Sequence, residues 1–190
     1  MPAYDSSTLT YRGLTFTVAK HYDETMQAPW IEHDGHGIVT DWIDDPHDDN
    51  FRQLSYFDSY RCRYYDWTAS FDRARADEWG LGDADRAALA LTLGREPTAE
   101  DVIAEAVRKD YEYLRAWCCN EWYYMGVVVT LQGTNISRSL WGIESSEDAY
   151  HDEVARELAD EIIGNAGKEL EAEVQRVTEL QAKVQQAGRE

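Results

Sequence analysis

Two stretches carry residues whose types and spacing suit chemistry. The first is IEHDGHGIV, Ile31 to Val39, which sets His33, Asp34 and His36 around Gly35 and Gly37. Two imidazoles and a carboxylate are the donors of a metal-dependent hydrolase, but a metal site needs ligands converging from more than one element. The only upstream histidine, His21, falls on an expected strand. His33 and His36 would share a helix face, yet the glycines between and after them argue against a helix. They suit a turn that needs positive φ. The sequence therefore predicts a tight turn, with His36 fixed by hydrogen bonds to its backbone. A metal-dependent hydrolase using His33, Asp34 and His36 stands as the alternative.

The second stretch is DDPHDDN, whose Asp44, Asp45, Asp48 and Asp49 gather around Pro46 with Asp41 just before them. Hard cations want clustered carboxylates, but the alternating ligands, central glycine and closing glutamate of a calcium loop are missing. The segment reads as a solvated acidic loop that can dock arginine and lysine. Cys62, Cys118 and Cys119 form no C-x-x-C pair and read as reduced, packed thiols. Serine or cysteine hydrolase motifs and both glycine-rich phosphate loops are missing from the sequence. No catalytic residue and no cofactor are expected.

Charge is the strongest global feature. The 190 residues hold 37 acidic and 18 basic side chains, a formal charge of −19. Such a field repels nucleic acid and anionic membranes and favours a basic partner surface. Duplex DNA carries one charge per ~1.7 Å, so this charge corresponds to roughly 32 Å of duplex. That is about the span of a folded domain of this length, so the density is compatible with imitation of DNA. No run reaches the length of a membrane span, and the N-terminal residues lack the layout of a signal peptide. The expected location is cytoplasmic.

The elements that must position these groups follow from periodicity. Thr8 to Tyr22 predicts a hairpin turning at Arg12-Gly13, and Gly37 to Ile43 a third strand. Tyr56 to Trp67 reads as extended, pairing back onto the sheet. Trp67 to Glu78 turns helical, and ADRAALALTLG gives a short helix closed by Gly94. PTAED is a strong helix start, with Thr98 as N-cap and Asp101 three residues on. That helix runs to about Asn120 on a ridge of Ile103, Val107, Tyr111, Leu114 and Cys118. Met125 to Leu131 is a continuous apolar run suited to a central strand. From about Glu147 a helix follows with inner ridge Tyr150, Val154, Leu158 and Ile162. Beyond Gly164 the chain stays helical, with Leu170, Val174, Val177, Leu180 and Val184 as a narrow seam. The order indicates an α+β fold, an antiparallel sheet of about four to five strands covered by helices on one face, with a C-terminal helical extension. The expected division is an α+β domain over 1–164 and a tail over 165–190, packed on the domain or used for self-association.

APWIEHDGHGIVTDW, RYYDWTASFDRARADEWG, YEYLRAWCCNEWYYMGVVV and SLWGIESSEDAYHDEVARELADEI together carry a resemblance. Across residues 11–163 the chain resembles a group of small, uncharacterised acidic proteins of tailed bacteriophages and prophages. The resemblance implies an accessory protein of a bacterial host's cytoplasm, of the kind that blocks CRISPR, restriction or other defence complexes. It carries over no catalytic residue. The function expected is a non-enzymatic inhibitor or modulator of a host or defence protein. It would act through an acidic, nucleic-acid-mimicking surface, without direct nucleic-acid or membrane binding. Its partner-binding residues would be the loop carboxylates above, the helix face Asp152, Glu153, Glu157, Asp160 and Glu161, and Trp141. A dimeric scaffold joined through the C-terminal helix is a further alternative.

Overall fold

The computed structural model describes residues 3–41, 43, 48–54 and 63–187. The chain forms two compact units, one of Met1–Glu24 with Tyr123–Glu190, the other of Thr25–Trp122.

The first unit is built on the hairpin. Strand β1 (Asp5–Tyr11) turns at Arg12-Gly13 into β2 (Leu14–Tyr22). Both turn residues take positive φ, 48° and 80°, the geometry that matches the twist of paired strands. The second unit's α1 (Pro29–Glu32), β3 (Ile38–Thr40), β4 (Phe51–Gln53) and β5 (Tyr64–Asp66) come next in the chain. They are followed by α2 (Trp67–Ala76), α3 (Asp83–Leu93) and α4 (Ala99–Cys118). The chain then returns to the first unit with β6 (Tyr124–Leu131), β7 (Ser137–Glu144) and α5 (Asp148–Ala187).

The fold is α+β. Four antiparallel strands run in the order β1-β2-β6-β7, and α5 packs on one face. The apolar run of β6 takes a central position, as its continuous hydrophobicity requires. Phe16, Val18, Val127, Val129 and Ile143 meet Val154, Leu158 and Ile162, all buried. Tyr150 departs from the expected ridge and is exposed, while His151 is buried in its place. His151 Nε2 donates to the Glu144 carbonyl at 2.7 Å, so Nδ1 holds the lone pair that Lys20 Nζ faces at 3.4 Å.

The shorter strands do not join that sheet. They form a second one, in the order β3-β5-β4, each three residues long. Its anchor is local: Asp66 accepts from Ala69 N–H to cap α2, and the Asn50 amide donates to the same carboxylate oxygen. Leu54, Tyr65, Ala74, Ile103, Val107 and Leu114 form this unit's core. Helix α4 starts with the full capping box expected of Thr98 and Asp101. Gly94 closes α3 in the left-handed conformation. Among the described residues no helix is long and apolar enough to cross a membrane.

Candidate functional site

The acidic face of α5 forms because the opposite face is fixed. Val154, Ala155, Leu158, Ala159 and Ile162 lock the helix to the sheet, which leaves Asp152, Glu153, Glu157 and Glu161 exposed. None of these four makes an ion pair among the described residues. Glu153, Glu157 and Glu161 follow at intervals of four, so like charges adjoin along one line. Each such pair destabilises the helix by about 0.2–0.5 kcal/mol. Asp160 differs: Tyr11 Oη donates to it at 3.0 Å and Arg12 pairs with it at 3.1 Å. It tethers the hairpin to α5 and is not a free docking charge.

The loop carboxylates are more dispersed. Asp41 pairs with Arg63 at 2.9 Å, and Asp48 accepts from Asn50 N–H at 2.9 Å, the geometry of a side-chain-closed turn. Asp49 is exposed. Asp44 and Asp45 lie outside the described residues. Two of the three described aspartates are thus engaged locally.

Trp141 owes its position to a bulge. The β6–β7 register slips between Met125 and Val127, so Trp141 and Gly142 together oppose Gly126. Gly142 takes φ 75°, and Asp23 accepts from its N–H at 3.1 Å. The bulge lays the indole across Gly126, where a Cβ would collide with it. Nε1 donates to Ser139 Oγ at 3.1 Å, and the ring stays 45% exposed. Beside it Leu140, Ile143, Glu147 and Tyr150 line a cavity of about 290 Å³.

The histidine loop is a turn, but its chemistry differs from the expectation. Gly35 takes φ 93°, whereas Gly37 does not occupy the positive-φ region. Gly37 is needed for close approach: a Cβ there would overlap the Tyr65 hydroxyl and Ser70 Oγ. His36 is held through its side chain, by Asp110 of α4, and not through its backbone. Its Nδ1 sits 2.6 Å from Asp110 Oδ1, and its ring stacks on Tyr113 with centroids 5.5 Å apart. Asp110 Oδ2 accepts from Gly37 N–H and Tyr65 Oη, each at 2.8 Å. Ser70 Oγ accepts from Ile38 N–H at 2.8 Å. Burial and the neighbouring Asp110 push the Tyr65 hydroxyl well above the usual phenol range, so it stays a donor.

Chemically the cluster is an anchor. One carboxylate gathers three donors and fastens the turn and β5 to α4. The arrangement leaves His36 Nε2 with the lone pair when Nδ1 donates, and Asp110 borders a shallow cavity of about 370 Å³ with Trp79 and Ala106. His33 and Asp34 are exposed. No three His, Cys, Asp or Glu side chains converge to hold a metal ion among the described residues. Asp110 had one signal in the sequence. It stands three residues after Val107 and four before Leu114, within the apolar ridge, and a carboxylate there must find donors.

Comparison with known proteins finds no family model, no curated protein and no solved structure that matches the chain.

Proposed function

We propose that the protein is a non-enzymatic binding protein that presents the carboxylate face of α5 to a basic surface of another protein. On the resemblance to phage accessory proteins, that partner is a host or anti-phage defence protein in the bacterial cytoplasm, and the surface covered is one that otherwise holds nucleic acid. Binding there inhibits or modulates the partner.

The observation that carries this reading is the set Asp152, Glu153, Glu157 and Glu161: exposed, unpaired among the described residues, and rigidly displayed. Their mutual repulsion is relieved when a cationic surface meets them, and a helix already packed on its sheet loses little entropy on binding. The loop carboxylates Asp41, Asp48 and Asp49 add to the long-range field and contribute to steering more than to affinity. The exposed indole of Trp141 offers an apolar anchor in the same unit.

The test replaces Asp152, Glu153, Glu157 and Glu161 with Asn and Gln and measures binding to the partner purified from an expressing bacterium, across a salt series and with duplex DNA as competitor. The expected result is slower association, a flatter salt dependence and loss of competition with DNA, with the circular dichroism spectrum unchanged. Binding that ignores both salt and the neutralised face would refute this reading and turn attention to the Trp141 surface.

A further inference from the structure

We infer that residues 165–187 of α5 associate with the same segment of further copies of this chain, as a parallel coiled coil. Helix α5 is 40 residues long, yet among the described residues Ile163 is the last one packed against the core of its own unit. Residues 165–187 continue for about 35 Å beyond that point. Most helical stability in proteins comes from packing an amphipathic face, so an apolar seam on this segment calls for a surface to pack on. Among the described residues of the chain no such surface covers it: Val174 is 64% exposed and Val177 is 45% exposed.

The sequence pattern identifies the occupant. Leu170, Val177 and Val184 recur every seven residues, and Gly167, Val174 and Gln181 recur at the complementary interval. That is the spacing of a heptad repeat, apolar throughout at one seam position and at Val174 in the other, a surface that can complement its own copy. In parallel register Gln181 meets its own copies, whereas a fully overlapped antiparallel pairing would set it against Leu170. A polar residue at such a position fixes register at some cost in stability. The flanking positions agree: Glu173 falls opposite Thr178, Ala166 opposite Glu171 and Leu180 opposite Gln185, so no like charges meet.

Charge separates this segment from the rest of α5. Residues 165–187 contain four acidic side chains (Glu169, Glu171, Glu173, Glu179) and three basic ones (Lys168, Arg176, Lys183). Residues 148–163 contain six acidic side chains and one basic, Arg156. In a chain of charge −19, copies repel one another. The segment carrying the seam is where they can approach most cheaply. The first half of α5, already packed on the sheet, supplies the helical start and removes the nucleation cost.

The experiment is sedimentation of the full chain over a concentration series, beside Val174→Asp/Val177→Asp and Gln181→Leu. The parent should reach at least twice 21.8 kDa. The double variant should stay monomeric with its thermal midpoint concentration-independent. Gln181→Leu should shift the association midpoint to at least tenfold lower concentration. A parent chain that remains at 21.8 kDa throughout overturns the inference and leaves the seam to a different protein. Association unaffected by the double variant overturns it as well. Gln181→Leu without effect removes the parallel register.

Discussion

His36 Nδ1 lies 2.6 Å from Asp110 Oδ1 although the two residues are 74 positions apart. Asp110 is the shared acceptor of the cluster, so its loss removes this acceptor from the Tyr65 hydroxyl and the Gly37 N–H together. Asp110→Ala should lower stability by about 3 kcal/mol, the cost of leaving buried donors unsatisfied. Asp110→Asn, which keeps an acceptor oxygen, should cost less. Urea midpoints of the two variants check this, and an unchanged midpoint for Asp110→Ala would remove the anchoring role.

Two glycines face side chains that a methyl group would strike, with different room to yield. Gly37 abuts Tyr65 and Ser70, both fully buried and hydrogen-bonded. Gly126 abuts the exposed indole of Trp141, which can swing away. Gly37→Ala should cost about 1–3 kcal/mol, the range for overpacking a closed site, and Gly126→Ala clearly less. Thermal melts rank the two. Tryptophan emission should shift for Gly126→Ala alone, since only there does the substitution push directly on an indole.

Local signals made most of these elements legible, and long-range ones did not. The Arg12-Gly13 turn, the Thr98 cap and the apolar run of β6 are each decided by neighbouring residues, and each stands where the sequence puts it. Strand β7 is hard to see in the sequence because SLWGI leads directly toward the acidic helix start and its bulge breaks the alternation. The three-residue strands carry too little pattern to declare which sheet they join. At the histidine turn the glycines gave the backbone, while the partner of His36 depended on a helix far along the chain. In the tail, Val174 and Val177 show the spacing of a packed seam but not what packs on it; Leu170 and Val184 carry side chains outside the described residues.

Cys118 should be a slow nucleophile. Burial, reinforced by Cys119 beside it, pushes its thiol up to about 11, and Arg63 opposes this only in part. Only the thiolate reacts, so a shift of about two units from an ordinary thiol lowers the reactive fraction about 100-fold near neutral pH. In a Cys119→Ser background, iodoacetamide labelling of the Cys118 peptide should be slow at pH 7 and accelerate steadily toward pH 11. Rapid labelling at pH 7 would contradict the buried environment.

The start of α4 should make the protein sensitive to acid through one carboxylate. Arg95 Nη1 and Nη2 donate to Asp101 at 2.6 and 3.0 Å, and the Thr98 N–H donates to it at 2.7 Å. Arg95 first, then the Thr98 hydroxyl and N–H, hold this carboxyl well below the usual range. A folded-state value below the unfolded one stabilises the native state at pH values above the unfolded pKa of about 3.9. That contribution is lost as pH falls from about 4 toward the folded value. Asp101→Asn should therefore lower stability at pH 7 and flatten the decline below pH 4, because the variant has no proton to take up. The side chain is partly open to solvent, so added salt should shrink the difference at pH 7 by weakening the Arg95 pair. Arg95→Ala should reproduce the loss of the salt-sensitive part while leaving the Thr98 cap, and with it some acid sensitivity. Urea unfolding of the three chains between pH 2 and pH 7 tests the assignment. Parallel stability curves for the parent and Asp101→Asn below pH 4 would show that other carboxylates carry the acid transition.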